Sequence, residues 1–382
     1  MSAIAPPAPR FDDVQKIAVL RAGGLGDVLF ALPAMQALAS AYPDAEVTLL
    51  GTRLAKELLE DRPGAPHRVV VLPPVPGVGV DPDTAVDVGE VERFLEAQRA
   101  ERYDLAVQVH GGGRYSNPFL LALGARHTIG TRTSDAAPLE RDLEYVYYQH
   151  EMLRALEVVG LAGAPAVALE PELGVSEDEL ARGRAVCGAD APTVVVHPGA
   201  TDPRRRWPTE HFGEVAALLA GRGVRVVLVG EGEDAALAAD IIRLAGQDLD
   251  DAARRLLVDC SAQLTLSELA GVFASCDVVL GNDSGPRHLA LAVGARTVGI
   301  FWFGNLINAG PLGRGRHRAL LSWVTACPVC GRDATQVGWT APRCEHDVSF
   351  VSDVAVEEVL AEVLSLLGVA RSGRRSDERS ER

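Results

Sequence analysis

Short unbroken runs of Val, Ile, Leu and Ala recur along the chain, each followed by a stretch whose apolar positions return every three to four residues. The runs read as strands buried on both sheet faces, and the periodic stretches as helices laid over them. KIAVL (16–20), EVTLLGT (46–52), RVVVLP (68–73), DLAVQVHG (104–111) and RHTIGTR (126–132) give a first set of strands. Helices are expected from Val28 to about Ala41, through GEVERFLEAQRAERY, and from Tyr145 to Val159. The series restarts near residue 190 with TVVVHPG (193–199), VRVVLVGEG (224–232), DVVLGNDSG (277–285) and ARTVGIFW (295–302), the last strand expected. HFGEVAALLAGRG, AALAADIIRLAG and LTLSELAGVFASC are the helices between them.

This alternation predicts an α/β fold of two domains with parallel sheets, and two such halves imply a cleft between them. Ligands of such sheets bind outside the carboxyl ends of the strands. The expected division is a flexible arm at 1–14, an N-terminal domain at 15–175 and a C-terminal domain at 176–352. A terminal helix at 353–369 and a charged, disordered tail at 370–382 complete it.

Length agrees, since 382 residues suit two such domains. Hydrophobic residues at 47% supply a core for each. No run is long enough to cross a bilayer, and the first residues lack the basic and apolar regions of a secretory signal, so a cytoplasmic location is expected. The net charge of -15 disfavours nucleic acid and general adhesion to anionic membranes. Positive charge is nearly all arginine, Lys16 and Lys56 being the only lysines.

Against that acidic background three loops carry candidate chemistry. In RAGGLGDVLFALPA, Gly23, Gly24 and Gly26 lie between a strand and a helix, where backbone N–H groups can approach a ligand. The spacing is not G-x-G-x-x-G, and Asp27 would oppose a pyrophosphate, so a dinucleotide fingerprint is excluded. Asp27 is either a helix cap or a general base for an acceptor hydroxyl. In HPGATDPRRRWPTEHF (197–212), Gly199, Thr201 and three arginines follow a strand, a set suited to phosphate oxygens or, more blandly, an exposed basic turn. In GNDSGPRHLALAVGA (281–295), Ser284 and Gly285 can offer a hydroxyl and N–H groups to a diphosphate at a helix N-terminus. Asp283 and His288 are a cap and a core histidine in the bland reading.

The order GGLGD, HPGA…RRRWP, NDSGPRHLA resembles the heptosyltransferases of glycosyltransferase family 9 over roughly 16–367, and LVGEGED and TVGIFWFGN fit as well. The resemblance implies a GT-B fold, two Rossmann-like domains facing across a cleft, and inverting transfer of a sugar, often heptose from ADP-heptose. It implies Asp27 as the base, with Thr201, Arg205, Arg206, Asp283, Ser284, Gly285 and His288 around the donor diphosphate. Arg205 stands where the family commonly has lysine, which keeps the charge but changes its geometry. Asp234, with Glu233 as the alternative, matches the contact to the nucleoside ribose. Such a reaction needs no covalent sugar intermediate and no required cofactor. No clear D-x-D pair for magnesium accompanies these motifs, consistent with a metal-independent enzyme.

The expected partners are a nucleotide-sugar donor and a glycan, glycolipid or small-molecule acceptor, a lipid-linked acceptor bringing transient contact with a membrane surface. In HGGGRYSNPF, His110, Arg114 and Asn117 are acceptor candidates or incidental polar residues of a turn. Cys187, Cys260 and Cys276 read as buried thiols, and nothing suggests a disulfide scaffold. Cys327, Cys330, Cys344 and His346 have the ligand types for structural zinc but lack a second C-x-x-C, so their spacing favours reduced thiols in a loop. A nucleotide-sugar epimerase and a non-catalytic nucleotide- or sugar-binding protein are the alternatives. The first needs acid/base groups on both sides of one carbon, and one convincing base is found.

Overall fold

A computed structural model of the chain describes residues 7–64, 66–335 and 342–380, in two units, Met1–Gly174 and Val175–Arg382. The first unit runs β1 (Lys16–Leu20), α1 (Leu25–Ala41), β2 (Glu46–Gly51), α2 (Arg53–Leu59), β3 (Arg68–Val71), α3 (Val88–Glu101) and β4 (Leu105–Gln108). It continues with α4 (Ser116–Ala122), β5 (His127–Arg132), β6 (Arg141–Glu144) and α5 (Glu151–Gly160). The six strands are parallel in the order β3-β2-β1-β4-β5-β6. β1 and β4 lie at its centre, and their residues are buried apart from half-buried Lys16. One face packs Ala18, Leu20, Leu50 and Ala106 with Phe119 and Leu120 of α4. α1 packs against α5.

The second unit runs α6 (Glu177–Cys187), β7 (Thr193–His197), a 3-10 turn (Pro203–Arg205), α7 (Thr209–Ala220), β8 (Arg225–Leu228), α8 (Asp234–Ala245) and α9 (Asp251–Arg254). Then come β9 (Leu257–Asp259), α10 (Leu266–Ser275), β10 (Val278–Asn282), α11 (Gly285–Ala292), β11 (Thr297–Trp302), α12 (Phe303–Ala309), β12 (His317–Ser322) and α13 (Val356–Ser380). Its parallel order, β12-β11-β10-β7-β8-β9, repeats the first: the earliest strand sits beside the fourth, and the winding reverses between them. That reversal is the switch point at which doubly wound sheets place their ligands. β1 and β4 flank it in one unit, β7 and β10 in the other, and the polar loops follow these strands.

Several expectations need correction. ARTVGIFW is not the last strand, because β12 follows it, and β6 and β9 were also missed. All three are edge strands, less buried and more polar than the inner ones, so the continuous apolar signal is weak. α5 begins at Glu151 rather than Tyr145, because the chain is still leaving β6. The stretch 7–14 is not a flexible arm. The Phe11 ring stacks on His127 at 4.1 Å beneath the Arg141 guanidinium, and its N–H donates to the Tyr42 hydroxyl (3.1 Å). Residues 1–6 lie outside the described residues.

At the other end, Val356, Val359, Val363 and Leu366 repeat at helical spacing and enter the core of the second unit with Phe212, Val215 and Phe350. α13 continues to Ser380, so 370–380 are helical instead of disordered, and 381–382 lie outside the described residues. Arginine and glutamate in that stretch are good helix formers, which lets the helix run past its apolar face. Among the described residues, no helix is long and apolar enough to cross a membrane.

Candidate active site

In the first unit β1 ends on Leu20 and the chain turns through Gly23 and Gly24 into α1. Gly23 has φ +105°, and a Cβ there would stand 2.5 Å from Asp27 Oδ2, so glycine is required on both counts. Gly24 is the N-cap and donates its N–H to Asp27 Oδ2 (2.8 Å). Gly26 lies in the first turn of α1. The cap reading of Asp27 is therefore realised, but it uses only one oxygen. The other, Oδ1, accepts from Arg21 Nη2 at 2.6 Å. The carboxylate is oriented at both oxygens and remains 46% exposed, so it can still meet a hydroxyl group.

Arg21 is buried beneath it and is satisfied on every side. Its Nε donates to the Asp27 carbonyl (3.0 Å), Nη1 to the Val109 carbonyl (2.6 Å) and Nη2 also to Glu151 Oε2 (3.3 Å). Burial favours loss of its proton, but Asp27 and Glu151 outweigh that, and the net shift of its pKa is upward. Glu151 starts α5 and also pairs with Arg154, whose guanidinium holds the carbonyls of Val146, Tyr147 and Gln149. Arg21, Phe30, Val109, Gly111, Glu151 and Arg154 help line a narrow cavity here.

His110, after β4, stands beside Arg21 and Asp27. Burial, helped by the Arg21 charge, pushes its pKa down to about 4, and its Nδ1 is buried without a hydrogen-bond partner. The other two acceptor candidates do not join it. Arg114 is exposed and paired with Asp135 (3.6 Å). Asn117 is wholly buried, its amide donating to the carbonyls of Thr131 (3.2 Å) and Ala137 (2.9 Å), so it braces the loop and presents nothing to an acceptor.

In the second unit the loops after β7 and β10 are tied together by buried Asn282. Its amide donates to the Pro198 carbonyl (2.7 Å) and accepts the Trp207 N–H (3.0 Å), fixing both ends of the arginine turn. Arg204 faces inward onto Asp202 and lies over the rings of Trp302 and Phe350. Arg205 reaches Asp283, Nη1 to Oδ2 at 3.3 Å, and remains 26% exposed. Arg206 donates Nε to the Ala200 carbonyl (2.8 Å), and Thr201 is exposed in the bend before the turn.

Asp283 is the buried anchor. Asn305 Nδ2 donates to Oδ2 (2.9 Å), His288 Nε2 lies 3.2 Å from Oδ1, and Arg287 Nη2 lies 3.8 Å from it. Burial pushes its carboxyl up, yet the His288 hydrogen bond and the charges of His288, Arg287 and Arg205 prevail and hold the pKa at about 2. Arg287 is fully buried over the Phe301 ring (4.6 Å), and burial pulls its pKa down to about 10. Ser284 caps α11 without a side-chain cap bond, and Gly285 is the first residue of that helix. The Ser284 hydroxyl lies 3.3 Å from His197 Nδ1, and His197 Nε2 lies 3.4 Å from Asp234 Oδ2. Burial raises the Asp234 pKa, but the bond to His197 outweighs it and the net shift is downward. Asp234 packs against Gly199, where a Cβ would stand 2.1 Å from its Oδ1, whereas Glu233 is exposed.

Residues 91–327 match the family model for glycosyltransferase family 9 (heptosyltransferase). The chain belongs to that family. This family 9 glycosyltransferase is similar to lipopolysaccharide heptosyltransferase 2 of Salmonella typhimurium, 26% identical over 367 residues, covering 92% of this chain and 98% of the relative. Its GT-B fold matches the E. coli ADP-heptose lipopolysaccharide heptosyltransferase II structure with TM-score 0.69 at 19% identity, over 92% and 98% of the two chains. It also matches an E. coli heptosyltransferase bound to ADP-2-deoxy-2-fluoro heptose, TM-score 0.58 at 21% identity, over 80% and 92%.

Sequence motifs missed several residues of this family 9 site. Arg21 stood inside the glycine motif, but its role depends on Val109 and Glu151, 88 and 130 positions away. His197 and Asn282 end β7 and β10, and their motifs carry no sign of the bonds they make to Ser284, Asp234, Pro198 and Trp207. Asn305 lies in the TVGIFWFGN segment, which by itself gives no sign of the bond to Asp283. D-x-D strings do occur, at Asp81-Pro82-Asp83 and Asp248-Leu249-Asp250, where Asp81 accepts the Asp83 N–H in a turn and Asp250 caps α9.

Proposed function

We propose that this glycosyltransferase moves heptose from ADP-heptose to a lipopolysaccharide-core acceptor, with inversion at the anomeric carbon. The observation that carries this reading is the pair of oriented charges at equivalent switch points: the exposed Asp27 carboxylate on buried Arg21, and partly exposed Arg205 on buried Asp283. The chemistry follows from what each can do. Asp27 takes the proton of the acceptor hydroxyl as that oxygen attacks the anomeric carbon. The bond from that carbon to the diphosphate breaks on the opposite side, and ADP leaves with the electron pair. Arg205, Arg206, the Thr201 and Ser284 hydroxyls and the N–H groups at the start of α11 receive the developing negative charge. Asp234 takes the ribose hydroxyls. No step is assigned to a metal ion or cofactor.

The similarity to lipopolysaccharide heptosyltransferases, one of them solved with ADP-2-deoxy-2-fluoro heptose, supports ADP-heptose as donor and a lipopolysaccharide acceptor. A lipid-linked acceptor of that kind places the reaction at a membrane surface. The test is incubation with ADP-heptose and heptose-deficient lipopolysaccharide, with the new linkage read by NMR. Transfer with inverted anomeric configuration is expected. Retention would exclude the single displacement, and a donor epimerised without acceptor would restore the epimerase reading.

A further inference from the structure

Glycosyl transfer leaves one cluster of reactive side chains unused. Between β12 and α13, Cys327, Cys330, Cys344 and His346 bring three sulfurs and one imidazole nitrogen within 4.8 Å of one another. The spacing alone favoured reduced thiols, because a second C-x-x-C is missing. The fold supplies the missing half from Cys344 and His346.

The local geometry is that of a metal knuckle. Ala326 bridges Asp333 in antiparallel fashion, the Cys327 N–H donates to the Arg332 carbonyl (2.8 Å) and the Gly331 N–H to the Cys327 carbonyl (2.9 Å). Gly331 takes φ +69°, which lets the chain turn tightly just after Cys330. An independent sign comes from the other arm, where His346 Nδ1 is buried with no hydrogen-bond partner. A buried imidazole nitrogen without a partner is costly unless something unseen satisfies it.

We infer that Cys327, Cys330, Cys344 and His346 form a structural zinc site that braces the arginine turn of the second unit. Thiolate sulfurs about 2.3 Å from tetrahedral zinc lie about 3.8 Å apart, so the four atoms need close by only about 1 Å. Binding displaces the thiol protons of the three cysteines and leaves one net negative charge on the Cys3His–zinc centre. Four protein ligands close the coordination sphere, which suits a structural role and leaves no position for substrate.

The site also has something to brace. Cys327 and Ala334 are buried in the core of the second unit, and Cys344 packs against it. Beyond His346, the Phe350 N–H donates to the Arg204 carbonyl (2.8 Å), and Arg343 approaches Asp202 at 3.9 Å. A metal that pins 342–346 to the Cys327 hairpin thereby supports the turn from which Arg205 projects.

The test is elemental analysis of the full, untagged chain purified without added metal, followed by chelation and cobalt replacement. About one zinc per chain is expected, with tetrahedral thiolate–cobalt bands after exchange. Cys344→Ser should lose the metal, and Cys260→Ser, outside the cluster, should keep it. Chelation of the wild-type chain should lower Tm and weaken ADP binding, and zinc should restore both; this arm does not depend on a variant that folds. A metal-free protein whose cobalt spectrum lacks thiolate bands, a Cys327–Cys330 disulfide, or iron in place of zinc would overturn the assignment. Metal content, the cobalt spectrum and Tm do not depend on the donor, so the zinc site and the proposed reaction can fail separately.

Discussion

The two units use one winding order and one kind of loop to present opposite charges. In the first the buried partner is a cation, Arg21 at 6% side-chain exposure, and the presented group is the Asp27 carboxylate. In the second the buried partner is an anion, Asp283 at 2%, and the presented group is the Arg205 guanidinium. Neither buried ion is isolated: Arg21 has Val109 and Glu151, and Asp283 has Asn305, His288 and Arg287. A buried charge without such partners would carry a desolvation penalty of several kcal/mol. Two units of one strand order thus present opposite charges at their switch points. The buried counter-ion decides which charge the switch point offers, and so whether it suits a proton acceptor or a phosphate grip.

The largest effect is expected from breaking the first pair at its exposed end. Asp27→Asn keeps the shape and removes the proposed base, and kcat should fall about 10³-fold with little change in Tm. Normal turnover would leave Asp27 a cap only. Next comes the buried end of the second pair. Asp283→Asn strands Arg287 and Arg205 together, and denaturant titration should show a loss of about 3–5 kcal/mol. A smaller effect sharpens the role of the glycine turn: Gly23→Ala forces a side chain into φ +105° against the Asp27 carboxylate. It should cost about 1–3 kcal/mol and displace the base, so kcat falls while ADP binding holds.

The smallest effect concerns pH and contrasts the buried ions with a buried neutral group. Burial, with the nearby charges of Arg287, Arg316 and Arg318, holds the His317 pKa at about 4, below its ordinary 6.5. The unfolded chain therefore binds the proton first as pH falls. The stability that neutral His317 contributes is complete above about pH 6.5 and lost as pH drops toward 4. At pH 5 the loss should be about 1–2 kcal/mol, and His317→Gln should flatten that part of the Tm–pH curve. Asp283, with its pKa near 2, adds loss only below about pH 4.

Much of this was legible in the sequence, and the gaps have physical causes. Inner strands such as β1 and β7 are buried and apolar, so they read directly, whereas edge strands β6 and β9 are only partly buried and carry mixed residues. The exposed member of each ion pair, Asp27 and Arg205, stood in a motif. Of the buried members, Asp283 was found because it follows a strand and opens a helix. Arg21 was passed over because its partners come from β4 and α5, far along the chain. Asn117 failed in the opposite way: a polar residue beside a glycine loop resembles a binding group until its burial is known.

The most direct test of the divided labour is calorimetric titration of ADP into the wild-type chain, Asp27→Asn and Arg205→Met. If Arg205 grips the diphosphate and Asp27 serves only the acceptor, Arg205→Met should weaken ADP at least about tenfold. Asp27→Asn should bind ADP within about threefold of the wild type, since it removes no donor contact. Equal losses in both variants, or an unchanged affinity in Arg205→Met, would contradict the account.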